Sequence, residues 1–74
     1  MIRVDAIGRH CPVPVIELAK RIDDIDVGDT VELLADDPAA AADVAAWCRM
    51  RGHELVATQP REDNVASYLI RRLH

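Results

Sequence analysis

The sequence is poor in residues that several protein classes need. Trp47 and Tyr68 are its only aromatic residues, so its core has to be built from aliphatic side chains. Its two cysteines are too few for the disulfide framework of a small secreted domain. These cysteines and three scattered histidines give no zinc-ligand spacing, so we expect no structural metal and no cofactor.

Long hydrophobic runs are also missing. A membrane span needs about 18 consecutive apolar residues, and no run in this chain reaches that length. No secretory signal precedes the first strand-like segment. We therefore expect a cytoplasmic protein that has no association with a membrane.

Basic residues are outnumbered by acidic ones, nine to thirteen, and the net charge is −4. General nucleic-acid binding needs a concentrated basic face, which this distribution does not offer. The local exceptions are Arg49 and Arg51 near the middle and Arg71, Arg72 and His74 at the end. We interpret these groups as solvated ends of secondary-structure elements.

The composition that is present indicates a small globular fold. Half of the residues are apolar and 30% are charged, which is typical of a globular rather than a disordered chain. The length suits one domain, residues 1–74, burying about 60% of the surface of the unfolded chain.

Hydrophobic spacing predicts alternating strands and helices. The predicted strands cover residues 2–6, 30–35, 53–59 and 65–73, and the predicted helices cover 12–22 and 38–51. Residues 26–29 and 60–64 are predicted turns. The nearly continuous apolar run at 30–35 indicates a central strand buried on both faces or nearly so. The order βαβαββ predicts an α+β two-layer sandwich, with two helices on one face of a four-stranded mixed sheet.

The second helix has clear start and stop signals. Asp37 can cap its free N–H groups and Pro38 suits its first position, which favours capping over an acid/base or metal role for Asp36 and Asp37. Gly52 is predicted to end the helix in the left-handed conformation. The inner face is assigned to Ala40, Ala41, Val44, Ala45, either Trp47 or Cys48, and the stem of Arg51.

The segment Gly8-Arg9-His10-Cys11-Pro12-Val13-Pro14 is the leading candidate for chemistry. Gly8 permits a sharp turn, and the prolines suit the first turn of the helix that follows. Cys11 then lies at a helix N-terminus, a setting that lowers a thiol pKa. The segment leaves two alternatives open, a reactive thiol or a small buried hydrophobic residue.

The neighbouring residues offer weaker candidates. Arg9 and His10 could supply positive charge that favours the thiolate, or they could point into solvent. Cys48 follows Val44 by one helical turn and is interpreted as a core cysteine. His53 and His74 have no convergent partners in the sequence and stay unassigned.

Several segments in order resemble one known family. The segment Asp5–Pro14 resembles the signature of the TusA (SirA-like) sulfur-carrier family, a Cys-Pro-x-Pro box after Asp-x-x-Gly. The resemblance continues through residues 34–39, 47–48, 53–57 and 68–72, and so covers essentially the whole chain. The fold of that family, βαβαββ, is the order predicted above.

This resemblance implies a sulfurtransferase that carries sulfur as a persulfide on Cys11, with Gly8, Arg9, His10, Pro12 and Pro14 around the thiol. Family members receive sulfur from a cysteine desulfurase or a rhodanese-type donor. They pass it to relay proteins serving tRNA thiolation, molybdenum-cofactor assembly or sulfur oxidation. The exposed residues Glu17, Lys20 and Arg21 on the first helix are either docking contacts or ordinary solvent-exposed side chains.

One departure from the family pattern concerns the residue between the prolines. The best-known tRNA-thiolation members carry Glu there and often Arg before the cysteine, whereas this chain has Val13 and His10. The missing carboxylate leaves persulfide chemistry possible in principle. It puts the identity of the donor and the acceptor in doubt.

Two other functions compete with the sulfur carrier. One is a non-catalytic regulatory or protein-interaction module, which a Cys11 that stays unreactive to alkylation until pH ~8.5 or above would favour. The other is a redox switch joining Cys11 and Cys48, which requires Cα atoms within about 7 Å. A buried cysteine on the second helix argues against that switch.

Overall fold

A computed structural model describes residues 1–74. Its strands are β1 (Ile2–Asp5), β2 (Thr30–Ala35), β3 (Glu54–Pro60) and β4 (Ala66–Arg71), and its helices are α1 (Val13–Arg21) and α2 (Ala40–Arg51). Short 3-10 turns cover Ile22–Asp24 and Glu62–Asn64. The predicted element order and the α+β class are confirmed.

The sheet is mixed, with strand order β1-β2-β4-β3. β1 runs parallel to β2, and the remaining pairs are antiparallel. The β1-α1-β2 unit is therefore a parallel crossover, which brings the end of β1, the end of β2 and the starts of both helices to one edge of the sheet. This edge carries Cys11.

Both helices pack on one face of the sheet. Alternate residues of the strands point to this face, and Val4, Val31, Leu33 and Ile70 are all buried there. The helices contribute further core residues, namely Leu18, Ala40, Val44, Trp47 and Cys48. The predicted inner face of α2 is confirmed for Ala40, Val44, Trp47 and Cys48, whereas Ala41 and Arg51 are exposed. The prediction for Ala41 is wrong because the helix turns that position toward solvent.

The opposite face of the sheet has no helix over it. β2 is nearly buried on both faces, as predicted, but the residue that is buried on the helix-free face is the charged Glu32. This side chain accepts hydrogen bonds from the Ser67 hydroxyl at 2.6 Å and from Arg3 and Arg61 at 2.7 and 3.1 Å. Glu32 is only 7% exposed, so arginine stems and a hydroxyl provide the cover on this face.

Element boundaries shift by one or two residues from the predicted ones. α1 begins at Val13 and ends at Arg21, and α2 begins at Ala40 after a turn through Pro38. The polar turn before β4 is confirmed, and Asp63 and Asn64 adopt positive φ there, a conformation that these residue types tolerate. Gly52 ends α2 at φ 73°, as predicted. Neither helix is long and apolar enough to cross a lipid bilayer.

Candidate functional site

Cys11 lies on the loop between β1 and α1. The loop turns at Gly8, where φ is +80°, and the N–H of Arg9 donates to the carbonyl of Ala6 at 3.1 Å. The Cys11 side chain is partly exposed and packs against the edge of the hydrophobic core. The sulfur is therefore open to a partner on one side and desolvated on the other.

The prolines on either side of Val13 open the helix as their positions in the sequence predict. Pro12 is the N-cap residue and Pro14 lies in the first turn, where its missing N–H costs nothing. Pro14 is fully buried, and the Cys11–Pro12 peptide bond is cis. The buried Pro14 thus fixes the first turn of α1 against the interior of the protein.

Two carboxylates hold the Cys11 loop from the other side. Asp36 accepts a hydrogen bond from the N–H of Gly8 at 2.9 Å, and Asp37 accepts one from the N–H of Cys11 at 2.9 Å. The second oxygen of Asp37 accepts the N–H of Ala39 at 2.8 Å. The N-cap residue of α2 is Ala39, so the predicted cap at Asp37 and the predicted first helical position at Pro38 are wrong by two residues. Asp37 instead stabilises the turn that leads into α2, and it also ties that turn to the thiol loop. This second role was not predicted.

The predicted lowering of the Cys11 pKa is wrong for this structure. The pKa of the thiol is raised from 9.0 to about 11, first by burial, then by a hydrogen bond to the Asp43 carboxylate and by the charges of Asp37 and Asp43. The helix N-terminus offers little in return. Pro14 has no N–H, and the N–H of Val13 already donates to the carbonyl of His10 at 3.0 Å.

The basic neighbours of Cys11 do not compensate for these carboxylates. The His10 side chain is 97% exposed, and its Nδ1 lies 3.6 Å from Oδ2 of Asp37. Arg9 is exposed. From the sheet side, burial raises the pKa of Tyr68, and the Cys11 thiolate adds to this shift. The charges that act on the sulfur are thus those of two carboxylates, whereas the imidazole of His10 pairs with Asp37 and not with the sulfur.

Along α1, the predicted docking residues are at the surface but are not grouped around the thiol. Glu17 and Lys20 form an ion pair at 3.7 Å, and Arg21 pairs with Asp24 at 2.9 Å. Arg21 is the last residue of α1, about 12 Å along the helix axis from its first residue. Their role in docking stays a prediction.

Cys48 is buried on α2, only 3% exposed, and belongs to the hydrophobic core. Burial raises the pKa of its thiol. Its interpretation as a core cysteine is confirmed, and both cysteines are free. No group of three or more His, Cys, Asp and Glu side chains converges in a way that could hold a metal ion.

The far end of the molecule brings together residues that the sequence left unassigned. The rings of Trp47, His53 and His74 stack in series, with centroids 5.5 and 4.8 Å apart. His53 Nδ1 accepts the N–H of Leu73 at 3.1 Å, and Arg72 donates to the carbonyl of Ile25 at 2.6 Å. These contacts hold the end of the chain against the C-terminal part of α2, the residue before β3 and the loop that follows α1. No periodicity in the sequence signals them, because the partners are far apart in the chain.

Comparisons with known proteins identify what the whole chain is similar to. Residues 2–72 match the model of a family described as Sulfurtransferase TusA. Two curated proteins of Archaeoglobus fulgidus, both described as "Putative sulfur carrier protein", are 41% identical over 63 residues and 39% identical over 71 residues. These matches cover 85% and 96% of this chain and 86% and 92% of the relatives.

A solved structure matches over the full length of both chains. It is the crystal structure of a SirA-like protein from Desulfitobacterium hafniense, with a TM-score of 0.87 and 24% sequence identity. At that identity the likeness is one of fold. It agrees with the four-stranded mixed sheet and two helices described above.

Proposed function

The chain belongs to the sulfurtransferase TusA family, and on this basis we propose that it carries sulfur as a persulfide on Cys11. The observation that carries the proposal is the position of this residue. Cys11 is partly exposed on a tethered loop, whereas Cys48 is buried in the core. A protein partner can therefore reach only Cys11 without opening the fold.

The proposed transfer is a thiol exchange. The Cys11 thiolate attacks the outer sulfur of a donor persulfide, and a new S–S bond forms as the S–S bond of the donor breaks. The donor cysteine leaves as a thiolate, and the transferred sulfur now ends the persulfide on Cys11. An acceptor thiolate then attacks that outer sulfur and releases Cys11 as a thiolate. Each step needs open access and a thiolate, and no metal or redox cofactor.

The proposed partners are a sulfur donor and a sulfur acceptor, both proteins. A cysteine desulfurase or a rhodanese-type protein suits the first role, and a relay protein of tRNA thiolation, molybdenum-cofactor assembly or sulfur oxidation suits the second. We place residues 1–74 in the cytoplasm as a single carrier domain. Glu17, Lys20 and Arg21 are proposed docking contacts because they are polar groups on the helix that follows the thiol.

Val13 bears on the choice of partner and not on the transfer itself. Its side chain is half-buried beside the thiol loop, where the tRNA-thiolation relatives carry a carboxylate. An apolar residue at this point favours a partner surface with an apolar contact. The variant Val13→Glu tests this, because it should change which donor loads Cys11 while leaving the exchange chemistry intact.

The direct test is to load the protein with sulfur and weigh it intact. Wild type is incubated with a cysteine desulfurase and cysteine under non-reducing conditions, and a mass gain of one sulfur atom is expected. Cys11→Ala should gain nothing, and Cys48→Ala is the matched control that should load like wild type. The incubation is repeated with a rhodanese-type donor. A wild type that gains no sulfur from either donor, or a Cys11→Ala that gains as much as wild type, contradicts the proposal.

A non-catalytic interaction module is the second candidate, and one observation favours it. The pKa of Cys11 is raised to about 11 in the isolated protein, so little thiolate is present at neutral pH. Alkylation of Cys11 that is slow at neutral pH and stays slow in the presence of a sulfur donor would favour the module. Alkylation that accelerates when the donor binds would favour the carrier.

A further inference from the structure

Two acidic side chains, one from the turn before α2 and one from its first turn, approach the thiol loop, and neither takes part in the exchange chemistry proposed above. Asp37 bridges the loop and the turn before α2 through N–H bonds of 2.9 and 2.8 Å, one to each of its oxygens. Those bonds hold the pKa of Asp37 below its usual value, so its carboxylate stays charged. Asp43 lies in the first turn of α2 on the side of Cys11.

No cation of this chain neutralises that pair. His10 is the basic group near Asp37, and it is 97% exposed at 3.6 Å. Asp36 is occupied by the N–H of Gly8, and Tyr68 approaches from β4 as a neutral phenol. The negative charge beside the sulfur is therefore opposed in the free protein only by His10, and only when that imidazole is protonated.

We propose that Asp37 and Asp43 are positioning residues for the sulfur transfer: Asp37 fixes the Cys11 loop through its backbone, and the two carboxylates together form the acidic surface against which a partner brings a cationic group. This rests on the proposed function of Cys11 as a sulfur carrier. The carboxylates act through the loop and through their charge, and neither takes part in the bonds that form and break. The thiol becomes nucleophilic only in the complex, which protects it from stray oxidants while it is free.

The surface beside the thiol indicates the chemistry of that cationic group. Between the helices lies an open groove of about 250 Å³, lined by Pro12, Val15, Asp43, Ala46, Trp47 and Met50. Its lining is mostly apolar, with Asp43 as the one charged side chain. A lysine or arginine of the partner suits this groove, since its aliphatic stem packs on the apolar wall while its head reaches the carboxylate. We commit to such a side chain, adjacent to the reacting cysteine of the partner.

The first experiment measures the rate of Cys11 alkylation by iodoacetamide against pH, with peptide mapping to separate Cys11 from Cys48. Asp37→Asn and Asp43→Asn should each move the midpoint down by about half a unit or more, a roughly threefold faster reaction at pH ~8. Asp36→Asn is the matched control. It weakens the tether at Gly8 but removes no charge that acts on the sulfur, so its midpoint should stay at the wild-type value.

A second readout separates charge from loosening of the loop. Wild type is treated with a cationic and an anionic methanethiosulfonate reagent, and the cationic one should react several-fold faster with Cys11. That ratio should fall in Asp37→Asn and Asp43→Asn and persist in Asp36→Asn. A loop that is merely loosened would accelerate both reagents equally and leave the ratio unchanged. Circular dichroism establishes whether each variant is folded. If Asp37→Asn does not fold, the proposal is tested with Asp43→Asn alone.

The proposal would be overturned if Asp37→Asn and Asp43→Asn both kept the wild-type midpoint of alkylation and the wild-type ratio of the two reagent rates. An Asp36→Asn that shifts the midpoint as far as the others would also overturn it. These measurements use no sulfur donor, so they are independent of persulfide loading. A protein that takes up no sulfur and yet shows these shifts would contradict the carrier function, while the effect of the two carboxylates on the Cys11 thiol would remain established.

Discussion

The burial of Glu32 on the helix-free face of the sheet gives a quantitative prediction. Glu32→Gln keeps the size of the side chain and removes its charge. The carboxylate accepts a hydrogen bond from the buried Ser67 hydroxyl at 2.6 Å and pairs with Arg3 and Arg61 at 2.7 and 3.1 Å. The two arginines are 64% and 48% exposed, so water replaces Glu32 around them when the charge is lost.

The expected cost follows from these exposures. A hydrogen bond to a charged group contributes about 1.5–3 kcal/mol, and an ion pair with a half-exposed partner about 0–1 kcal/mol. The variant should therefore lose about 2–4 kcal/mol of unfolding free energy at neutral pH. For a domain of this size that corresponds to a fall in Tm of about 8 °C or more.

The pH dependence supplies the stricter test. The Ser67 hydroxyl and Arg3 hold the pKa of Glu32 below its usual value of 4.5. A carboxyl whose folded pKa is lowered contributes stability above its unfolded pKa, and that stability is lost as the pH falls through the folded pKa. Protonated Glu32 resembles glutamine, so the gap between wild type and Glu32→Gln should be full at pH ~7 and should close in acid.

Urea denaturation of both proteins at pH ~7 and pH ~3 measures the gap. The control is Glu54→Gln on β3, whose ion pair with Arg71 at 3.2 Å joins two half-exposed side chains and should matter by less than about 1 kcal/mol. A Glu32→Gln variant as stable as wild type at neutral pH would refute the reasoning. So would a gap of the same size at both pH values.

Three further predictions concern the core, the end of α2 and the ring stack. Leu18→Ala should lower the free energy of unfolding by about 2–5 kcal/mol in urea denaturation, because Leu18 is fully buried. Ile16 is 46% exposed, so Ile16→Ala should lower it by less than about 1 kcal/mol. Equal losses in the two variants would contradict the core described above. Gly52→Ala should lower the Tm more than Gly28→Ala does. Both glycines have positive φ, but only at Gly52 would an added Cβ meet another side chain, His74 Nε2 at 3.1 Å. A smaller fall in Tm for Gly52→Ala would count against this contact. Burial and the nearby cations lower the pKa of His53 from 6.5. The folded state should therefore lose stability as the pH falls below 6.5, and NMR titration should find the midpoint of His53 under that value. A His53 midpoint above 6.5 would contradict the ring stack.

Local patterns predicted most of the fold. Alternating and continuous apolar runs predicted each strand, and Gly52 marked the end of α2 at the correct residue. The glycine and prolines around Cys11 singled it out as the leading candidate for chemistry, the family resemblance implied its role, and the match along residues 2–72 supports the family. The strand and helix-end predictions are correct because each depends only on residues within a few positions along the chain.

The electrostatics of the site could not be read from the sequence. Asp37 and Asp43 follow Cys11 by more than twenty positions, and only the parallel crossover brings the end of β2 beside the loop after β1. The prolines suggested an open helix N-terminus that would stabilise a thiolate. They also remove the N–H groups on which that effect depends, so the carboxylates and burial prevail and the thiol pKa rises.

The tethers that hold the thiol loop all reach its backbone. Asp36 and Asp37 accept the N–H groups of Gly8 and Cys11, so the position of the sulfur does not depend on the side chains at residues 9, 10 and 13. A change of these side chains would therefore alter the surface that a partner meets while leaving both backbone tethers of the loop in place.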